Sequence, residues 1–188
     1  MDVEDVSGID RWMQLLAQQK AVLKNGSKRK GEQPKDKATR SQLVSQQMAM
    51  HARMAIMKND KQNLNMIYQS FVPPPYLPSV APFGKLKKLY LKDLKLQTHH
   101  MDRFLLLRVV TPAVEMTAVM AVLEDETGDA VMLQLYQQEY QCDRKTEEMV
   151  KLNSVCIIKE PYFKVMNDGG TSSISQYDSG FSLTSSHT

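Results

Sequence analysis

The sequence predicts an α+β protein in which N-terminal helices precede a small antiparallel β-barrel. The first observation is a hairpin: two apolar runs, 118–123 and 130–136, flank the turn 124–129, and pairing the runs satisfies both backbones. The second is a set of apolar residues at three- and four-residue steps before residue 72, the spacing of amphipathic helices. The third is size, since 188 residues suit one domain with appendages.

Residues 1–24 are predicted to contain the first helix. Asn25, Gly26 and Ser27 end it, because this composition favours a turn. Segment 25–40 is predicted to be a basic flexible linker, since it is rich in Lys, Gln and Gly and has too few apolar residues to bury a face. The apolar face of the helix comprises Ile9, Trp12, Met13, Leu16 and Leu23.

Residues 41–71 are predicted to be a Met-rich helical segment. Its apolar stripe indicates either packing on the barrel, which general rules favour, or an adaptable groove for a protein partner. The Pro-rich residues 72–84 then form an extended connector, because proline stops a helix. The candidate partner-binding methionines are Met48, Met50, Met54 and Met57.

Residues 85–170 are predicted to form the barrel. Residues 85–96 begin it as a short strand or a turn of helix. Residues 103–110 follow as a strand whose near-continuous apolar character predicts either burial on both faces or a position at a barrel corner. After the hairpin come a short helix, 143–151, and a strand, 155–165, which Pro161 interrupts. This order is that of an incomplete OB-like barrel that lacks its last strand.

The tail, residues 171–188, contains seven Ser and three Thr and no Lys or Arg. Its four large apolar residues do not alternate over any length. This composition predicts a disordered, Ser-rich tail.

The sequence contains five distinctive short segments: 92–100, 105–112, 124–126, 132–136 and 159–166. Together they resemble the N-terminal region of fungal proteins that carry tetratricopeptide repeats followed by a SET domain. The resemblance implies a module without chemistry of its own. In such a family the SET domain is the protein-lysine methyltransferase-like part, which uses S-adenosylmethionine, and the repeats imply protein partners. After residue 170 the chain departs from the family pattern, and we expect neither the repeats nor the SET domain in it.

Composition argues against a membrane or secreted protein. No run approaches the roughly 18 apolar residues of a membrane helix, and the acidic N-terminus is unlike a secretory signal. Cys142 and Cys156 are predicted to be reduced thiols. We therefore expect an intracellular protein, cytoplasmic or nuclear.

No catalytic constellation is apparent, so we predict no enzyme activity, no cofactor and no metal site for this chain. His99 and His100 point to opposite faces of an extended chain and lack further ligands at metal-binding spacing. The acidic turn is interpreted as a solvated hairpin tip in which Gly128 supplies a positive φ. There is no Gly-x-Ser-x-Gly elbow and no phosphate-binding loop.

The predicted function is that of a non-catalytic binding or scaffold module with a protein partner; the oligomeric state stays open. The alternative is an OB-like domain that binds single-stranded nucleic acid, since such domains combine a basic groove with aromatic side chains that stack on bases. The alternative interpretation of the same residues is core packing for the aromatics and a solvated face for the lysines. The candidate nucleic-acid-binding residues are Lys85, Lys87, Lys88, Arg103, Arg108, Tyr136, Tyr140, Lys159, Tyr162, Phe163 and Lys164.

Overall fold

The structure is a computed structural model that describes residues 28–35, 37–59, 79, 81–116, 118–136, 149–165, 172–177 and 181–184, with nine scattered positions between 10 and 25. For 57–59, 175–177 and 181–184 it describes the backbone alone. The helices are α1 (Arg40–Asn59) and the short 3-10 helices η1 (Phe83–Lys85) and η2 (Leu91–Asp93). The strands are β1 (Lys87–Lys88), β2 (Thr98–His99), β3 (Arg103–Val109), β4 (Val114–Glu115), β5 (Val119–Glu124), β6 (Ala130–Tyr136), β7 (Val155–Lys159), β8 (Tyr162–Val165), β9 (Ser172–Tyr177) and β10 (Phe181–Thr184).

The ten described strands form one curled, open sheet. Its order is β10-β7-β3-β5-β6-β9-β8-β2, with β1 added to β3 and β4 added to β5. Two pairings are parallel, β6 with β9 and β1 with β3. The sheet therefore differs from the predicted antiparallel barrel: among the described residues its path ends at β10 and β2 instead of closing, and it is mixed.

The predicted hairpin is confirmed. β5 and β6 pair in antiparallel register from Glu124 opposite Ala130 to Val119 opposite Leu135. Gly128 lies in the turn with φ +87°, as predicted. The turn is only partly the solvated tip that the sequence indicated: Glu126, Thr127 and Gly128 are exposed, but the side chains of Glu124 and Asp125 are buried. Asp125 Oδ1 accepts hydrogen bonds from the backbone N–H groups of Thr127 (2.9 Å) and Asp129 (3.2 Å), which is the local turn chemistry of an Asx motif.

The concave side of the sheet holds the main core. Alternate residues of each strand face it, so that Leu105, Leu107 and Val109 of β3 are buried while Leu106 is half-buried and Arg108 exposed. The prediction that β3 is buried on both faces is therefore wrong. The same cluster includes Leu133, Cys156, Ile158, Phe163 and Ile174.

Helix α1 covers the outer side of β5 and β6. Leu43 packs there against Met120, Val122 and Met132, which explains why every residue of β5 is buried. A reciprocal capping box begins the helix: the backbone N–H of Thr39 donates to Oε1 of Gln42 (2.8 Å), and the N–H of Gln42 donates to Oγ1 of Thr39 (3.3 Å).

The prediction of several N-terminal helices is not borne out. Of the α-helices, the structure gives bounds to α1 alone within the described residues, and most of segment 1–24 lies outside them. Helix α1 accounts for part of predicted segment 41–71, whose residues 60–71 lie outside the described part, as does most of connector 72–84. Part of the predicted linker contacts the sheet region, because Gly31 N–H donates to Leu96 O (2.9 Å) and Leu96 N–H donates to Glu32 O (2.8 Å).

The predicted disordered tail instead supplies two strands. β9 lies between β6 and β8 and pairs with both, and β10 pairs with β7 along Phe181 to Thr184. Ile174 and Ser173 are completely buried. The physical reason is that backbone hydrogen bonding to two neighbouring strands forms a strand even where the composition is polar.

Candidate ligand-binding surface

The outer side of β3 and β7 is a sheet surface that α1 does not cover; we call it the open face. It comprises the outward-facing residues of two paired strands, aligned as Phe104 opposite Lys159, Leu106 opposite Ile157 and Arg108 opposite Val155. These side chains are half-buried or exposed, while their neighbours Leu105, Leu107, Cys156 and Ile158 are buried. The open face is thus apolar in the middle and basic toward its ends.

One end of the open face brings together a group of side chains that we call the basic–aromatic cluster. The rings of Phe83 and Phe104 lie 4.7 Å apart between centroids, tilted by 57°. Phe83 is 48% exposed. Lys87 is the register partner of Arg103, and Lys159 Nζ donates to Ala81 O (3.5 Å). The cluster is defined as Phe83, Lys85, Lys87, Arg103, Phe104 and Lys159.

A tight turn fixes the backbone beside this cluster. Asp102 and Glu160 both have left-handed φ angles, +57° and +47°. Glu160 N–H donates to Arg103 O (2.8 Å), and Glu160 Oε1 accepts from the N–H of Asp102 (3.0 Å). Burial acts to raise the pKa of Glu160, but hydrogen bonds and the nearby charge of Lys159 outweigh it and lower the pKa. The buried Glu160 carboxylate therefore stays ionised and accepts a hydrogen bond from the backbone N–H of Asp102.

At the other end of the open face, cations are held by the acidic turn. Arg108 Nε donates to Oε1 of Glu124 (3.0 Å), and Arg40 Nε donates to Oε2 (2.5 Å). Lys88 Nζ lies 2.7 Å from Oε2 of Glu126, and this hydrogen bond raises the pKa of Lys88. Arg108 and Lys88 are thus engaged in ion pairs and contribute less positive charge to a ligand. A pocket of about 320 Å³ lies here.

Other predicted nucleic-acid residues lie on a different surface. Lys164 Nζ is 3.0 Å from the hydroxyl of Tyr136 and 5.2 Å from its ring centroid. Burial lowers the pKa of Lys164 to about 8. Tyr162 donates its hydroxyl to Oε1 of Gln97 (2.6 Å), and burial raises its pKa. Phe163 belongs to the core, and Tyr140 lies outside the described residues.

The structure therefore divides the predicted set. Lys85, Lys87, Arg103 and Lys159 lie at one end of the sheet, whereas the described tyrosines of the set, Tyr136 and Tyr162, contact Lys164 and Gln97. Sequence reasoning missed Phe83 because it lies in the predicted connector, and missed Phe104 because its strand was interpreted as buried on both faces. The signal was available in the sequence: side chains alternate between the two faces of a strand, so Phe104 and Leu106 share a face with the charged Arg108, which is expected to point outward.

The described methionines of α1 differ in their exposure. Met50 is half-buried against the cluster under the helix, and Met54 is half-buried as well. Met48 is 46% exposed, while the side chain of Met57 lies outside the described part.

The histidine pair has a structural role at His100. Its Nε2 accepts from Lys95 N–H (3.0 Å) and its Nδ1 lies 3.2 Å from Pro161 O. Burial lowers the pKa of His100, which fits a neutral ring with the proton on Nδ1. Among the described residues, no three His, Cys, Asp or Glu side chains are arranged to hold a metal ion. No helix in the same part is long and apolar enough to cross a membrane.

No protein-family model matches the chain. Over 169 residues it is 36% identical to a protein of Gibberella zeae (strain PH-1) that is named methyltransferase. The match covers 90% of this chain and 21% of that protein, so the chain spans about a fifth of its relative's length. The fold is similar to the OB domain of Ta0387 from Thermoplasma acidophilum, with TM-score 0.39, 14% identity, and coverage of 54% of this chain and 90% of that domain. The first comparison bears out the coarser part of the resemblance, a fungal protein named methyltransferase; tetratricopeptide repeats and a SET domain are not shown.

Proposed function

We propose that this chain is a non-catalytic binding module and that it binds its ligand through the open face. The observation that carries the proposal is the difference between two outer sheet surfaces. The outer side of β5 and β6 is covered by Leu43 and Gln47 of α1. The outer side of β3 and β7 carries aromatic, aliphatic and basic side chains that α1 does not cover and that are half-buried or exposed. Phe83 of η1 packs on Phe104 at one end of this surface.

The strand order supports an OB-like architecture. We number β3, β5, β6, β7 and β9 as strands one to five in chain order. Their order across the sheet is then four, one, two, three, five, and strands three and five are parallel. This is the connectivity of an OB-type barrel that has not closed. Such barrels commonly serve as binding modules, although a fold alone does not assign a function.

The chemistry of the described side chains supports a role without catalysis. The carboxylates of Glu124, Asp125 and Glu160 are engaged in ion pairs or backbone hydrogen bonds. Burial raises the pKa of the Cys156 thiol to about 12, so this sulfur is not an activated nucleophile. The buried free thiol also supports the proposed intracellular setting, cytoplasmic or nuclear.

We further propose that the module corresponds to the N-terminal region of a larger protein with tetratricopeptide repeats and a SET domain, and that methyltransferase chemistry belongs to those other parts. The similarity to a longer protein named methyltransferase supports this assignment. Isothermal titration of the chain with S-adenosylmethionine tests it. We expect no saturable heat, and one-site binding would overturn the non-catalytic assignment.

Binding by the open face is tested with two labelled probes at low salt, a mixed-sequence single-stranded oligonucleotide and a peptide of alternating Glu and Leu. We expect at least one probe to bind, and Leu106→Glu on β3 to weaken that binding by about tenfold or more. Ile56→Glu is the matched control, because Ile56 is 69% exposed on α1. If neither probe binds, or if both variants weaken binding equally, the open face is not the binding surface.

A further inference from the structure

We infer that the basic–aromatic cluster binds single-stranded nucleic acid, with a base stacked on Phe83 and the backbone phosphates next to the surrounding cations. This inference rests on the proposed function, because it names the ligand class of the open face. It differs from the binding surface usual for an OB-type barrel. Oligonucleotides usually meet the second and third strands of such a barrel, and here that side is covered by α1.

Phe83 is placed to act as a stacking platform. Its ring is 48% exposed, and it is supported by the ring of Phe104 at 4.7 Å. Phe104 is itself half-buried and is held by the pairing of β3 with β7. An aromatic ring that packs against a second ring and remains partly exposed offers a flat apolar surface. An unpaired base can stack on such a surface, because every base has a π-face.

The cations of the cluster come from three separate segments at the same end of the sheet. Lys85 ends η1, Lys87 begins β1, and the buried Leu86 lies between them, so both lysines remain exposed. Leu86 is extended, with φ −83° and ψ 143°, which separates the two lysines by about 6.6 Å along the chain. This is close to the separation of successive phosphates in a stretched single strand.

Arg103 and Lys159 complete the cationic surface. Arg103 is opposite Lys87 in the parallel pairing of β1 with β3, and Lys159 is opposite Phe104 in the pairing of β3 with β7. Because neighbouring side chains of a strand point to opposite faces, Arg103 and Phe104 lie on either side of β3. A ligand that meets both must cross the end of the sheet, which a flexible single strand can do and a stiff duplex cannot.

The net charge of this region favours an anion, because four basic side chains lie here with two carboxylates, the exposed Asp102 and the buried Glu160. Among the described ion pairs, none involves Lys85, Lys87 or Arg103, and the buried Glu160 carboxylate is turned to a backbone N–H. An acidic peptide would satisfy the cations equally well. Phe83 distinguishes the two ligands, since its ring, which is 48% exposed, adds a stacking site at the same end of the sheet as the cations. A nucleic acid uses such a site and a run of carboxylates does not.

The test is fluorescence anisotropy of the full chain with a labelled mixed-sequence single strand of about 12 nucleotides, titrated across salt. We expect log K to fall with log salt with a slope of about −3, the value for four phosphate contacts on a single strand. Lys85→Gln with Lys87→Gln should reduce the slope to about −1.5. Lys92→Gln with Lys95→Gln removes the same charge from exposed lysines elsewhere and should leave the slope unchanged.

Phe83 gives the second readout. Phe83→Ala should weaken binding by about 5- to 100-fold without changing the salt slope, because it removes stacking and no charge. Phe83→Trp should restore the affinity, and thermal melts establish that each variant is folded. A duplex of the same sequence should bind at least about tenfold more weakly than the single strand.

The outcomes separate this inference from the proposed function. If the oligonucleotide does not bind but the acidic peptide binds in a manner that Leu106→Glu weakens, the nucleic-acid inference is overturned and the binding module stands. If neither probe binds, both fail. Oligonucleotide binding that both lysine pairs weaken alike, and that Phe83→Ala leaves unchanged, is general attraction to a basic chain and also overturns the inference.

Discussion

Glu124 and Arg40 connect the sheet to the helix that covers it: Oε2 of Glu124 accepts a 2.5 Å hydrogen bond from Nε of Arg40. The other carboxylate oxygen accepts from Arg108 on β3. Because Glu124 is 8% exposed, one carboxylate joins α1, β5 and β3 with little solvent around it. The first turn of α1 is therefore held by charge as well as by Leu43.

We expect Glu124→Gln to lower the free energy of unfolding by about 1–2 kcal/mol at pH 7, since both arginines lose a charged acceptor and are themselves partly exposed. Burial acts to raise the pKa of Glu124, but hydrogen bonds from Arg108 and Arg40 outweigh it and lower the pKa below 4.5. The stability that this carboxylate contributes is present above the ordinary Glu pKa and is lost as pH falls through the lowered one.

Urea unfolding of the native chain and Glu124→Gln between pH 7 and pH 3 measures this. The difference in free energy of unfolding between the native chain and Glu124→Gln should become smaller as the pH is lowered. Glu32→Gln is the control, because Glu32 is half exposed and its Oε2 lies 3.7 Å from Nε of Arg29. This variant should lower the free energy of unfolding by about 0.5 kcal/mol or less. A difference for Glu124→Gln that stays constant with pH would show that the ion pair is not its source.

Gln47 makes a second connection between α1 and the sheet. It is fully buried, and its Nε2 donates to Met120 O (2.8 Å) and Pro112 O (3.3 Å). We expect Gln47→Leu, which keeps the volume, to lower the free energy of unfolding by about 1–3 kcal/mol because two buried carbonyl acceptors lose this donor. Thermal melts measure it, with Gln46→Leu on the exposed side of α1 as the control. Equal stability of the two variants would contradict the role assigned to Gln47.

The hairpin was predictable because its signals are local. An acidic turn with Gly128, between two apolar runs, determines pairing over a short distance, and β6 has the predicted bounds, Ala130–Tyr136. The cations of the basic–aromatic cluster were also recognised individually. Their convergence was not predictable, because it depends on the register of β1 on β3 and of β3 on β7, which no single segment specifies.

The ion pairs of the acidic turn were missed for a related reason. The sequence interpretation of residues 124–126 as a solvated tip gave no reason to expect ion pairs there. In the fold, Glu124 is hydrogen-bonded to Arg40, which lies 84 positions earlier in the sequence. Arg108 and Lys88 are consequently engaged at the turn, although the sequence placed them with the ligand-binding cations.

Lys164 should make the free energy of unfolding vary with pH in the alkaline range. Burial lowers its pKa from 10.5 to about 8, so between these values the unfolded state binds more protons than the native state. Stability should therefore rise as pH increases from about 8 to 9. Above pH 9 the buried Cys156, whose pKa burial raises from 9.0 to about 12, opposes this rise, because the native state keeps a proton that the unfolded state loses. Lys164→Met should flatten this rise and be more stable than the native chain at pH 7, as the hydroxyl of Tyr136 keeps its bond to Gln134.

Unfolding by urea at pH 7, 8, 9 and 10 measures the effect. Lys95→Met, at an exposed position, is the control and should follow the native pH dependence. A difference in stability between the native chain and Lys164→Met that stays constant between pH 8 and pH 10 would contradict the burial of Lys164.

Ile174 tests whether the Ser-rich tail belongs to the fold. The tail was interpreted as disordered because its composition is polar, yet Ile174 is completely buried in the main core, opposite Leu133 on β6 and Phe163 on β8. We expect Ile174→Ala to lower the free energy of unfolding by about 2–5 kcal/mol through the cavity it leaves. Leu152→Ala is the control, since Leu152 is 42% exposed and should change stability by about 0.5 kcal/mol or less. Amide hydrogen exchange gives an independent measurement: if Ser173 and Ile174 exchange as fast as an unstructured chain and Ile174→Ala behaves like Leu152→Ala, β9 does not contribute to the folded sheet.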